Sequence, residues 1–180
     1  MADSNITKKA LANALKDLMK EMSFSKITIA TICDKCQMNR KSFYYHFKDK
    51  YDLVNWIFYT EIIDVVKSKT YTDNFDFFRD ILYYFEDYRT FYRRVFKYDG
   101  QNSFYEYFKE LITPLANTNM SEMIGDVPHK DFVVSFLTDS VVSFIKKWLI
   151  EEEKMDADEF LSLIKTCVMG LANKYTDKDV

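Results

Sequence analysis

An all-α fold is predicted by three observations. Glycine occurs three times and proline twice in 180 residues, too few turn-formers for a sheet protein but enough for long helices on short polar connections. Apolar residues recur at three- and four-residue spacing through most of the chain. Residues that cap helix N-termini (Thr28, Asn39 and Asp49) stand immediately before three of these periodic segments.

The first helix is expected over 7–22, where Leu11, Ala14, Leu15, Leu18 and Met22 share a face and Lys8, Lys9, Lys16 and Lys20 lie mostly elsewhere. Phe24 and Ile27 close it. Thr28 caps a second helix, 29–36, with Ile29, Ile32, Cys33 and Cys36 inward. Gln37 and Met38 turn the chain, and Asn39 caps a third helix, 40–47, buried through Phe43 and Phe47. Asp49 then caps a long fourth helix to residue 69, with Leu53, Trp56, Ile57, Ile63 and Val66 inward.

Residues 51–109 carry 20 of the 31 aromatic side chains, so this stretch forms either the core or the wall of a cavity. Helices are expected over 75–87, 90–98 and 102–111, with a break at Asp99–Gly100 and a stop before Pro114. Residues 117–128 show little periodicity and read as a mobile loop. Two long helices follow, 132–149 and 156–175. On the first, Phe132, Phe136, Phe144 and Trp148 form one row, and Val133, Leu137, Val141, Ile145 and Leu149 a second. The last repeats the pattern with Phe160, Ile164, Cys167, Val168 and Leu171. Such a pair fills a protomer core or builds a four-helix interface with a symmetry mate.

Charge is unevenly distributed. Residues 1–50 carry a net +5 and residues 51–180 a net −8, so a basic N-terminal lobe sits on an acidic body and suits a polyanionic partner. No apolar run approaches the ~18–20 residues that span a bilayer, and the first residues do not read as a signal peptide; a cytoplasmic protein without membrane partners is expected. Three cysteines are too few for a disulfide framework. Cys33 and Cys36 form a C-x-x-C whose spacing puts both on an inward helix face, as small apolar residues. With two histidines, no metal site or cofactor is expected. The sequence lacks a nucleophile elbow, a Gly-rich phosphate loop and an H-E-x-x-H motif, and an enzyme is not expected.

The helix pair over 28–47 is the most informative segment. Two short helices joined by a tight turn are a common way to lay the second in a DNA major groove. That second helix carries Arg40, Lys41, Tyr44, Tyr45 and His46, a basic and aromatic set suited to phosphates and base edges.

Residues 1–58 resemble the DNA-binding domain of TetR-family transcription regulators. The resemblance is carried by Thr28-Ile29, Ile32-Cys33 and above all the run Ser42-Phe43-Tyr44-Tyr45-His46-Phe47-Lys48-Asp49-Lys50, followed by Leu53. Arg40-Lys41-Ser42-Phe43-Tyr44, Trp56-Ile57-Phe58, Phe91-Tyr92-Arg93-Arg94-Val95-Phe96 and Lys147-Trp148-Leu149 are similar to a subgroup that includes regulators of dihydroxyacetone kinase genes. Two departures stand out. Gln37 occupies a turn position commonly held by Gly in the family, and Cys33 and Cys36 replace residues that are usually Ala.

The resemblance implies a helix-turn-helix DNA-binding domain over 1–50, a connecting helix over 50–69, and an effector-binding and dimerisation domain over 51–180. Arg40 and Lys41 would face base edges. Thr28, Ser42, Tyr44, His46 and Lys50 would contact the phosphate backbone, with Asn39 capping the helix among them. Tyr45 would meet a thymine methyl group or the sugar-phosphate chain. An effector pocket would draw on Trp56, Tyr59, Phe78, Tyr84, Phe85, Tyr88, Phe91, Tyr92, Phe108 and Phe144, although most of the same residues also serve as hydrophobic core. A homodimer would form through Val133, Val141, Phe144, Ile145, Trp148, Ile164, Val168 and Leu171. The function implied is a ligand-responsive repressor, a homodimer on a pseudo-palindromic DNA operator, with a small-molecule effector or a partner protein. The contrasting reading is a helical interaction partner or co-activator that keeps the fold and senses a protein.

Overall fold

Ten α-helices follow one another in the computed structural model, which describes residues 2–73, 75–98, 103–151 and 155–176, with no strand among them. The N-terminal unit comprises α1 (Ala2–Glu21), a 3-10 turn (Phe24–Lys26), α2 (Ile29–Lys35) and α3 (Arg40–His46). Leu11, Leu15, Leu18, Phe24, Ile32, Cys33, Phe43 and Phe47 are buried together beneath it. Each predicted cap is in place. Thr28 forms a reciprocal capping box with Thr31, Asn39 accepts from the Ser42 amide, and Asp49 accepts from the amides of Tyr51 and Asp52.

The turn between α2 and α3 is a Schellman motif: the Met38 amide donates to the Cys33 carbonyl and the Gln37 amide to the Asp34 carbonyl. Its left-handed residue is Gln37, at φ 56°. The turn therefore keeps the shape that glycine suits, although it carries a side chain.

α4 (Lys50–Phe58), a π-helical turn (Tyr59–Ile63) and α5 (Asp64–Ser68) form the connecting helix. The body continues with α6 (Asp76–Asp87), α7 (Arg89–Phe96), α8 (Phe104–Ile124), α9 (Lys130–Ile150) and α10 (Ala157–Thr176). Its centre is a cluster of rings. Phe58 stacks on Phe85 with centroids 5.6 Å apart and meets Tyr92, Phe104 and Phe108 edge-on.

Two expectations about the body need correction. α8 does not stop before Pro114, and most of 117–128 is not a loop: the helix runs through Pro114 to Ile124, and only 125–128 of that stretch lie outside a helix. The cost of the missing amide is outweighed by an unbroken buried stripe at four-residue spacing: Phe104, Phe108, Ile112, Ala116, Met120 and Ile124. The helix ends at Gly125, whose φ of 70° suits a residue without a Cβ. The break expected at Asp99–Gly100 lies outside the described residues.

Candidate nucleic-acid interface

α3 is anchored from below and open above. Phe43 and Phe47 are buried, whereas Arg40, Lys41, Tyr44 and Tyr45 are exposed, Tyr45 at 82%. The ring of Tyr45 meets that of His46 edge-on at 4.8 Å. His46 is half-buried, and burial followed by the nearby Lys8 ammonium pulls its pKa below the ordinary value. It is therefore neutral at pH 7, a hydrogen-bonding group rather than a fixed cation. Thr28 and Asn39 are exposed, and Ser42 is half-buried. The Asn39 side-chain oxygen accepts from both the amide and the hydroxyl of Ser42, at 2.8 and 3.2 Å. Those groups hold the helix start, and the Asn39 amide nitrogen is left as its outward donor.

Lys50 does not join this surface as expected. Its ammonium donates to the carbonyls of Phe24 and Ile27, each at 2.7 Å, and lies 4.6 Å over the Phe24 ring. Burial lowers its pKa. It pins the start of α4 to the 3-10 turn, a destination not legible locally because the acceptors lie 23 and 26 residues away.

The ten residues expected to line an effector pocket do not line one cavity. Phe85, Tyr92 and Phe108 belong to the packed ring cluster, with Phe78 buried beside Phe77. The hydroxyls of Tyr84 and Tyr92 are satisfied inside the body. The Tyr84 hydroxyl lies 2.7 Å from that of Tyr92 and donates to Glu61 at 2.9 Å. Glu61, on the π-helical turn, pairs with Lys16 of α1. Trp56 packs edge-on to Phe47, and the Lys67 ammonium covers Tyr59. Tyr88 and Phe91 line a separate groove of about 540 Å³ against α1. Phe144 points out of α9, half exposed.

The residues expected at a dimer interface divide in the same way. A groove of about 720 Å³ runs between α9 and α10, floored by Val141, Trp148 and Val168 and walled by Phe144, Ile164 and Leu171. Val133 and Ile145 are buried in the protomer and do not line it. The outward row also includes Phe132 and Phe136, stacked at 6.4 Å and exposed at 69% and 55%. Leu163 and Met169 of α10 are exposed as well, and are not among the residues expected at the interface.

Cys33 is buried and Cys36 half-buried, both as free thiols whose pKa values burial raises. The Cys36 thiol donates to the Ile32 carbonyl at 3.2 Å. Among the described residues no cluster of three or more His, Cys, Asp or Glu could hold a metal ion, and no helix is long and apolar enough to cross a membrane.

A capped, outward-facing basic helix behind a tight turn, set on a helical body, defines a helix-turn-helix regulator fold. The family model for bacterial regulatory proteins of the tetR family matches residues 11–57, and that for a transcriptional regulator C-terminal region matches residues 73–170. The chain belongs to the TetR family of transcriptional regulators. It is 29% identical over 105 residues to the HTH-type dhaKLM operon transcriptional activator DhaS of Lactococcus lactis subsp. lactis (strain IL1403). That alignment covers 55% of this chain and 54% of the relative, so the match spans about half of that protein's length. Among solved structures, the dihydroxyacetone kinase operon activator DhaS superposes with a TM-score of 0.73 at 20% identity, covering 94% of this chain and 98% of that one. A TetR transcriptional regulator from Streptococcus agalactiae 2603V superposes with a TM-score of 0.71 at 24% identity, covering 93% and 96%. At these identities the structural likeness is one of fold.

Proposed function

We propose that the protein is a sequence-specific DNA-binding regulator, acting as a homodimer on a pseudo-palindromic operator. Residues 1–50 serve as the DNA-binding head and 51–180 as the sensing and dimerisation body. The observation that carries this reading is the exposure of Arg40, Lys41, Tyr44 and Tyr45 on a helix whose opposite face is locked by Phe43 and Phe47. Arg40 and Lys41 read base edges, with Arg able to grip a guanine through two hydrogen bonds. Thr28, Asn39, Ser42, Tyr44 and His46 bond phosphate oxygens and set register. Tyr45 reaches a thymine methyl group or the sugar-phosphate chain. A two-fold dimer places successive major-groove half-sites about 34–36 Å apart, or a multiple of that.

The α9–α10 groove, with the outward row from Phe132 to Phe144, is the dimer face. The central rings fill the body, so an effector, whether small molecule or protein, acts from a surface groove rather than from a large central cavity. Repression is the family-typical outcome. Activation is the second reading, favoured by the role of the L. lactis relative as an activator. Operator position relative to the promoter decides between them.

Selection of bound fragments from genomic DNA tests the core of this. A palindromic motif is expected. Arg40→Ala should relax preference at one base pair in each half-site, losing about 1–3 kcal/mol of discrimination there. Failure to enrich any duplex at low salt would overturn the DNA-binding reading, and a reporter placed behind the selected site reads the sign of the effect.

A further inference from the structure

α7 is a short helix with an arginine bonded outward at each end. At its start, the Arg89 guanidinium lies 4.5 Å over the Trp148 ring and donates to the Trp148 carbonyl, in the last turn of α9. The same indole stacks on Phe160 of α10, with centroids 5.0 Å apart and planes 11° from parallel, and its N–H donates to the Met155 carbonyl at 2.8 Å. Trp148 and Phe160 both line the α9–α10 groove. At the other end, Arg94 donates to the carbonyls of Met19 and Met22, the latter at 2.7 Å, where α1 finishes. The last carbonyls of a helix have no partner within it and form the negative end of its dipole, so a guanidinium there is a strong tie.

We propose that Arg94 is a positioning residue for the DNA-binding head: it fixes the angle of α1 against the body, and Arg89 conveys to it, through α7, the state of the α9–α10 groove. The proposal rests on the DNA-binding reading above. The physical case is short. α7 spans eight residues, about 12 Å, so it moves as one piece. The second protomer seated in the groove touches Trp148 and Phe160, and a shift of that stack displaces Arg89, which is half-buried and bonded to the tryptophan carbonyl. The displaced helix carries Arg94 with it, and the end of α1 follows. The Lys16–Glu61 pair supplies a second attachment of α1 to the body, one helical turn before Lys20. Rotation about that attachment changes where α3 points. The size of the response is bounded by how differently the groove's occupant contacts the two arrangements.

The test measures the head-to-body distance directly in the full chain. Spin labels are introduced through a genetically encoded azido residue at exposed Lys26 in the head and exposed Glu122 on α8, leaving the native cysteines in place. Dilution with unlabelled protein isolates distances within one chain, read by double electron–electron resonance. A single narrow distribution is expected for the parent. Arg94→Met should broaden it, and Arg94→Lys, which keeps one cationic donor, should narrow it part of the way back. Phe160→Leu, at the groove, should alter the distribution in the parent and add nothing in the Arg94→Met background. An unchanged distribution in Arg94→Met overturns the proposal, as does a Phe160→Leu effect of equal size with and without Arg94. If Arg94→Met does not fold, Arg94→Lys takes its place under the same two outcomes.

No DNA enters that measurement, so its failure leaves the DNA-binding reading standing. The second arm uses genomic fragments selected by the parent. Arg94→Met should weaken binding about threefold to thirtyfold while leaving the dependence on salt concentration unchanged, because no phosphate contact is lost. A flatter salt dependence would mean that Arg94 touches phosphate and would overturn its positioning role. A parent that selects no fragment sinks the DNA-binding reading alone.

Discussion

The ammonium of Lys50 is bonded to the carbonyl of Ile27 at 2.7 Å, across the junction between the start of α4 and the residue before the α2 cap. A second bond to Phe24 at 2.7 Å and the ring beneath it complete a closed socket. The Lys side chain is therefore engaged in holding the shape of the head. Lys50→Met leaves two carbonyls without their charged partner, which costs about 1–3 kcal/mol. Thermal unfolding should fall accordingly, while the slope of log affinity against log salt stays at the parent value. A slope reduced by about one contact, with stability intact, would return Lys50 to the phosphate surface.

At Gln37 the chain takes a left-handed conformation, with φ at 56°. A Cβ there costs about 1–2 kcal/mol, partly offset by the extra freedom that glycine gains in the unfolded chain. Gln37→Gly should therefore stabilise the protein by about 0.5–1 kcal/mol, raising Tm by roughly 1–4 °C for a chain of this size. The Schellman bonds from Met38 and Gln37 to the α2 carbonyls do not involve the side chain, so the turn should persist. A fall in Tm on this substitution would show that the glutamine side chain contributes more than the backbone strain removes.

How far the sequence reveals the fold depends on the range of the interactions that decide it. Thr28, Asn39 and Asp49 act on amides two or three residues away, so their caps and the boundaries of α2, α3 and α4 are readable locally. The destination of Lys50 is not, because its acceptors are distant in the chain and adjacent only after folding. Pro114 is a strong local stop signal, but the four-residue register from Phe104 to Ile124 is stronger once buried against α9. On α9 both apolar rows are visible in the sequence, yet only packing decides that Val133 and Ile145 turn inward while Phe132, Phe136 and Phe144 turn out. The tyrosines illustrate the same limit. Aromatic richness over 51–109 is compatible with core or cavity wall, and only folding reveals the Tyr92–Tyr84–Glu61–Lys16 chain that satisfies the central hydroxyls.

That division of α9 sharpens the test of the dimer. Phe144 is half exposed and Leu171 is 40% exposed, on opposite walls of one groove. Phe144→Glu with Leu171→Glu adds two charges to a surface that is open in the protomer. Sedimentation should report a monomer with near-parent thermal stability. Ile145→Glu, one residue along, puts a carboxylate into a fully buried position and should unfold the protomer itself. A double variant that remains a dimer would move the interface elsewhere on the body.

His46 gives DNA binding a defined dependence on pH. Its imidazole sits beside exposed Tyr45 on α3, and burial, then Lys8, hold its folded pKa below the ordinary value. For the protein alone, the unfolded chain therefore takes up the proton first. The stability contributed by neutral His46 is complete above the ordinary imidazole pKa and is lost as pH falls through the lowered folded one. DNA acts in the opposite sense, since a phosphate beside His46 favours the imidazolium and raises its pKa in the complex. Binding then takes up a proton. Affinity for a selected operator fragment should rise as pH falls through the pKa of the bound state, and level off below that of the free protein. His46→Gln keeps a donor without a titrating charge, so its affinity should be flat over the same range. An equal slope in parent and variant would assign the proton to another group and would remove His46 from the phosphate contacts.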